Sequence, residues 1–174
     1  APAIAPWCFV VAQHRDPNQD SALVELLSHQ TSMTVVTAVD GASVDSGVVY
    51  VAPPGSDIVV AGGTIRLPEA SQRKRPWPSI DRLMVSLAAE FGPDAVGVIL
   101  SGSGTDGAAG ASAIRDGGGV IAVQDPATAA FEQMPKSTLD TGSVNLTAAA
   151  ESIGTELHDL LFGRSAHPIE ASED

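Results

Sequence analysis

The stretch VILSGSGTDGAAGASAIRDGGG, Val98 to Gly119, carries the decision about the fold. An apolar run from Val96 to Leu100 has the unbroken character of a strand covered on both faces, as in a parallel sheet. It breaks into glycines from Gly102 to Gly107 and resumes as a helix through Ile114. The helix is stopped by Asp116-Gly117-Gly118-Gly119, where glycines can take the backbone turn that ends it. Strand, sharp loop and helix in this order form one unit of an α/β sheet, whose sites lie outside the carboxyl ends of the strands.

The same pattern extends to both sides. Trp7 to Ala12 is a continuous apolar run ending at Gln13-His14-Arg15-Asp16-Pro17. Asn18 to Gln30 is predicted helical, with Leu23, Leu26 and Leu27 at helical spacing. Short β-branched runs follow at Thr34–Thr37, Val48–Ala52, Asp57–Val60 and Thr64–Leu67. Asp40-Gly41, Pro53-Pro54-Gly55 and Gly62-Gly63 separate them as turns, so a β-hairpin insertion is expected across Asp57 to Leu67. After a loop from Pro68 to Pro78, a helix from Ser79 places Ile80, Leu83, Met84 and Leu87 on one face. Beyond the central unit, Val120–Val123 reads as a buried strand, and a loop with a short helix fills Gln124–Gly142. A last strand is predicted near Val144–Leu146 and a closing helix over Ala148–Leu161. The expected fold is α/β: three layers around a doubly wound, mostly parallel sheet with a β-hairpin insertion. One domain over residues 1–164 and an acidic, flexible tail over 165–174 complete the organisation.

Composition narrows the function. Of the 174 residues 44% are hydrophobic and 17% charged, which suits a globular chain rather than a disordered one. Nine basic against twenty-one acidic residues give a net charge of −12, which opposes binding to nucleic acid or anionic lipid. The basic cluster Arg73-Lys74-Arg75 reads as a solvated loop. No apolar run approaches the ~20 residues of a membrane helix, and the N-terminal residues lack the positive region of a signal peptide. Membrane insertion is therefore not expected, and a cytoplasmic setting is. The single cysteine, Cys8, lies in an apolar run and reads as a buried structural thiol.

What the glycine loop does is a chemical question with three answers. Gly102-Ser103-Gly104-Thr105-Asp106-Gly107 fits the dinucleotide fingerprint, and Asp125 lies 18 residues beyond Gly107, where a ribose-binding acid would fall. Against this, Asp106 would face a pyrophosphate at close range, and two like charges a few ångströms apart repel by ~1 kcal/mol even in water. In the second reading Thr105 or Asp106 caps the helix that follows. In the third, Asp106 is a catalytic carboxylate, kept ionised at a helix N-terminus, that orients a histidine. His14, ending a buried strand at the same edge of the sheet, is the available histidine. His29, His158 and His167 sit on a helix face or in the tail, no Cys/His/carboxylate spacing suggests a metal, and no cofactor is expected on the third reading.

Seven ordered motifs resemble one family. They are Gln13-His14-Arg15-Asp16-Pro17, Val24-Glu25-Leu26-Leu27-Ser28, Gly47 to Pro54, Pro78-Ser79-Ile80-Asp81-Arg82, Ala95 to Gly107, Gln124 to Ala129 and Phe131 to Pro135. Together, over about Phe9 to Leu161, they resemble the chemotaxis protein-glutamate methylesterase catalytic domain. The resemblance is closest to the form found in methylesterase–methyltransferase fusion proteins. It implies hydrolysis of glutamate methyl esters on chemoreceptor signalling helices, with glutamine deamidation as a further activity, by a Ser-His-Asp triad. His14 and Asp106 match the family's histidine and aspartate. Ser103, with Gly104 beside it, stands where the family places a backbone N–H near the oxyanion, a donor worth ~3 kcal/mol to acyl transfer. Methylated receptor helices are the implied partner, together with an associated receiver or methyltransferase domain.

The nucleophile has no match. The family serine sits in a Gly-Ala-Ser-(Thr/Ala)-Gly-Gly turn after the first strand, whereas the thirteen residues before His14 contain no serine. Gly41-Ala42-Ser43 and Gly110-Ala111-Ser112 lack the strand–turn–helix setting that exposes a nucleophile. The front strand and nucleophile turn are therefore expected to be missing from residues 1–164. A domain of the same fold that binds receptor or partner without hydrolysis is the alternative.

Overall fold

The computed structural model describes residues 7–14, 22–68 and 78–163. Arg73-Lys74-Arg75, most of the loop before Ser79 and the tail from 165 lie outside the described residues, as do residues 18–21 of the predicted Asn18–Gln30 helix.

Among the described residues there are eight strands and five α-helices. Strand β1 (Phe9–Val11) is followed by α1 (Leu23–Gln30), β2 (Thr34–Thr37) and β3 (Val48–Val51). The hairpin β4 (Val59–Ala61) and β5 (Thr64–Arg66) leads to α2 (Ile80–Phe91) and β6 (Val96–Ile99). Helix α3 (Ala108–Asp116), β7 (Val120–Gln124), α4 (Gln133–Asp140), β8 (Leu146–Ala148) and α5 (Ile153–Phe162) complete the order. The hairpin is antiparallel, with Val60 opposite Ile65, and turns on Gly62 and Gly63, both at positive φ (58° and 67°). Two such residues make the turn whose twist matches paired strands, which is why a Gly-Gly pair marks it in sequence.

The parallel strands form two ladders rather than one continuous sheet. One has the order β1-β3-β2 and the other β6-β7-β8. In register, Val10 faces Tyr50, Val36 faces Tyr50 and Val98 faces Ala122. Helix α2 ties the ladders together: Leu83 joins the core of Tyr50, Ile58 and Ile65, while Ile80 and Met84 join that of Ile99, Ile114 and Ile121. Ala12, just past β1, packs against both cores. On the other face of β7 and β8, α5 covers Ala122 and Ala148 with Ile153, which makes the third layer.

Strands β1 and β6 are each an outer strand of their own ladder, and among the described residues they do not pair with each other. Side chains alternate along a strand, so Phe9 and Val98 point away from the α2 side. Both are exposed (49% and 42%), as is Leu100 (48%).

Several boundaries differ from the sequence reading by a residue or two, and two at the C-terminal side differ for an evident reason. The last strand begins at Leu146, because the Asn145 side chain takes over the preceding rung: Oδ1 accepts the Ile121 N–H while the Asn145 N–H donates to the Ile121 carbonyl (both 2.8 Å). Ala148 is then a strand residue, its carbonyl accepting the Asp125 N–H at 2.7 Å, so the closing helix starts only at Ile153.

Candidate active site

The site is assembled around the N-terminus of α2. A helix begins with N–H groups that have no partner inside it, and here side-chain oxygens take each one. Asp57 Oδ1 accepts the Ser79 N–H (2.8 Å), Asp106 Oδ2 the Ile80 N–H (2.8 Å), Asp106 Oδ1 the Asp81 N–H (2.8 Å) and Ser79 Oγ the Arg82 N–H (3.3 Å). Asp57 is buried and is paired with the half-exposed Arg82 guanidinium, which compensates the cost of burying its charge. Asp106 therefore caps a helix, but it is α2, twenty-six residues back in sequence, and not the helix that follows it. Helix α3 opens on Gly107 at φ 101°, with no capping side chain from its own sequence neighbours.

Against this frame stands His14. Its Nε2 lies 2.8 Å from Asp106 Oδ2, across a sequence separation of 92 residues, and both side chains are mostly buried. Burial pushes the Asp106 carboxyl pKa up, but the hydrogen bond from His14, the Asp81 and Ile80 N–H groups and the charge of His14 outweigh it. The net result is a pKa below the ordinary 3.8. An ionised carboxylate only accepts hydrogen bonds, so in the neutral ring the Nε2 carries the proton and Nδ1 presents its lone pair. That is the state a general base needs.

The loop from Ser101 to Gly104 is held from the β7–α4 side. Gln124 is buried, and its Oε1 accepts the Ser101 N–H at 2.8 Å. Gly102 exchanges backbone bonds with Phe131 (2.9 Å) and Met134 (3.0 Å), and a side chain at Gly102 would collide with the Met134 sulfur. The Gly104 N–H donates to Gln133 Oε1 at 2.9 Å. Among the described residues the Ser103 N–H has no acceptor, and Ser103 is exposed.

The other sequence candidates go elsewhere. The place a pyrophosphate would take, the N-terminus of α3, is filled by the Asp81 carboxylate: Oδ1 accepts the Gly107 N–H (2.9 Å) and the Gly110 N–H (2.8 Å). Asp125 folds back on the Ala127 N–H (2.9 Å), as expected of a turn acid. The Ser43 backbone bridges to Thr64 and its carbonyl accepts from the Tyr50 hydroxyl (2.9 Å). Ser112 Oγ donates to the Ala108 carbonyl inside α3 and accepts from Ser143 Oγ (both 3.3 Å). Cys8 is half-buried against the β1–β3–β2 core, and burial pushes its thiol pKa up despite a backbone hydrogen bond, the opposite of an activated nucleophile. Among the described residues no group of three or more His, Cys, Asp or Glu could hold a metal ion, and no helix is long and apolar enough to cross a membrane. Asp57, Asp81 and Gln124 carry no local sign of these bonds in the sequence, because their partners lie 22 to 29 residues away.

The family model for CheB methylesterase matches residues 1–157. The "Protein-glutamate methylesterase/protein-glutamine glutaminase 3" of Myxococcus xanthus is 41% identical over 140 residues, covering 80% of this chain and 39% of that protein. An "Uncharacterized 104.1 kDa protein in hypE 3'region" of Rhodobacter capsulatus is 37% identical over 142 residues, covering 82% of this chain and 15% of that protein. The chain thus spans less than half the length of these curated relatives. The solved structure of the Thermotoga maritima CheB methylesterase catalytic domain superposes with a TM-score of 0.82 at 29% identity, covering 91% of this chain and 86% of that one.

Proposed function

This chain belongs to the CheB methylesterase family, and we propose that it forms the His–Asp part of a protein-glutamate methylesterase acting on methylated chemoreceptors in the cytoplasm. The observation that carries the reading is the 2.8 Å contact between His14 Nε2 and Asp106 Oδ2 at the carboxyl ends of β1 and β6. Asp106 holds the imidazole with Nδ1 free. Nδ1 takes the proton from a serine hydroxyl as its oxygen attacks the ester carbonyl, and the Ser103 N–H meets the resulting oxyanion. The proton then passes from Nδ1 to the departing methoxide, methanol leaves, and water repeats the cycle on the acyl-enzyme. Glutamine deamidation follows the same path with ammonia as the leaving group, in line with the glutaminase in the Myxococcus relative's name.

The nucleophile, in this reading, arrives on a strand laid between β1 and β6. Parallel strands lie about 4.8 Å apart, and two unpaired edges flanked by exposed Phe9, Val98 and Leu100 suit one more strand between them. Its carboxyl end would emerge beside His14 and Asp106. A methyl ester is neutral, so the −12 net charge does not repel it as it would a free glutamate.

The test is methanol release from a methyl-esterified receptor fragment, using the chain extended at its front by a serine-bearing strand and turn. Release that disappears in His14→Ala is the expected result. No release from the extended chain would overturn the catalytic reading in favour of a non-hydrolytic receptor-binding domain.

A further inference from the structure

Asp81 is the second residue of α2, and the chemistry above makes no use of its side chain. Its Oδ1 nevertheless accepts two N–H groups of α3, from Gly107 at 2.9 Å and Gly110 at 2.8 Å. Gly107 is bonded directly to Asp106. The approach that permits this is tight: a Cβ on Gly110 would lie 2.6 Å from Met84 Cβ and 3.2 Å from Asp81 Cα. A Cβ on Gly107 would lie 2.7 Å from Ile99 Cδ1. The two helices therefore meet nearly backbone to backbone at the point where the carboxylates cross.

The result is a closed ring. Asp106 grips the Asp81 N–H, and Asp81 grips the N–H that follows Asp106. Each carboxylate thus anchors the backbone that carries the other, and each sits at the positive end of a helix dipole. We propose that Asp81 is a positioning residue: it holds Gly107, and through it the Asp106 carboxylate, where that carboxylate selects the Nε2–H tautomer of His14. The inference rests on the reading of His14 and Asp106 as the catalytic pair, but its test does not need turnover.

Truncating Asp81 strips two N–H groups of their acceptor and frees the Asp106 loop to move towards solvent. His14 then loses its fixed acceptor on Nε2, and the two neutral tautomers mix. Long-range ¹H–¹⁵N correlation spectra of the labelled chain, taken where the ring is neutral and assigned with His14→Gln, read the tautomer directly. The parent and Asp81→Asn should both show His14 as Nε2–H, because both bonds go to Oδ1 and an amide oxygen can take its place. Asp81→Ala and Asp81→Ser should show the Nδ1 and Nε2 shifts converging. Glu90→Ala is the control for stability alone. It removes two carboxylate bonds, to the Gly62 and Gly63 N–H groups, from the far end of the same helix, and should leave the His14 tautomer intact. An unchanged tautomer in Asp81→Ala and Asp81→Ser, or equal loss in Glu90→Ala, would overturn the proposal. If the alanine variant does not fold, the serine variant decides alone. Absence of methanol release from an extended chain with a fixed His14 tautomer would count against the catalytic reading and not against this one.

Discussion

Asp81 and Asp106 each close the start of the helix that belongs to the other. Asp106, one residue before the cap of α3, takes the Ile80 and Asp81 N–H groups of α2, while Asp81 takes the Gly107 and Gly110 N–H groups of α3. The exchange holds Asp106 ionised and immobile, and leaves one edge of Oδ2 for His14. A flexible carboxylate on a glycine loop would have to be ordered during each turnover, whereas this one is ordered by folding.

If Asp106 fixes the His14 tautomer, replacing either group removes the general base without removing the loop. In a front-extended, serine-bearing chain, Asp106→Asn and His14→Ala should each lower methanol release by roughly 10³- to 10⁴-fold. The double variant should be little worse than either single one, since the pair acts as a unit. Additive losses in the double variant would sink the assignment.

Folding lowers the pKa of Asp106, so the unfolded chain binds its proton more readily than the folded one. The stability Asp106 contributes is full above the ordinary value of 3.8 and is lost as pH falls through the lower folded value. Urea midpoints of the parent and of Asp106→Asn, which does not titrate, should therefore differ more at pH 6 than at pH 3. A gap independent of pH would show that the carboxylate's charge does not stabilise the fold.

Two loop glycines at positive φ separate backbone strain from packing. Gly104 (φ 87°) has nothing within 4 Å of an added Cβ, while Gly107 (φ 101°) has Ile99 Cδ1 at 2.7 Å and Ile80 Cγ2 at 3.3 Å. Gly104→Ala should cost about 1–2 kcal/mol from the left-handed backbone alone. Gly107→Ala should cost a further ~1–3 kcal/mol from overpacking. Urea unfolding of the two variants gives the comparison, and equal costs would show that the Ile99–Ile80 contact yields freely.

The fingerprint at Gly102–Gly107 should not bind dinucleotides, because the Asp81 carboxylate occupies the helix N-terminus that would receive the phosphates. Calorimetric titration with a dinucleotide at millimolar concentration should give no binding heat. Saturable heat that Asp106→Lys strengthens would reverse this conclusion.

Much of the architecture was legible in the residues alone, because it rests on local rules. Unbroken apolar runs predict β1, β3, β6 and β7, the Gly62-Gly63 pair predicts the hairpin turn, and the i, i+3, i+4 spacing of Ile80, Leu83 and Met84 predicts the buried face of α2. The pairing of His14 with Asp106 was also within reach, since both follow strands of a sheet whose loops gather at one end. Local rules failed where a side chain stood in for backbone, as Asn145 does beside Ile121, and so displaced the last strand and helix.

The sequence by itself therefore determined the order of elements, the covered faces and the two residues that meet at the sheet's carboxyl edge. Only the tertiary structure decided which helix Asp106 caps, that Asp81 fills the supposed phosphate site, and that β1 and β6 end up as outer strands of separate ladders. The reason is range. Propensity and periodicity act over a few residues, whereas a carboxylate finds its N–H partners across twenty-five or more, and only after α2 and α3 have closed on Gly110.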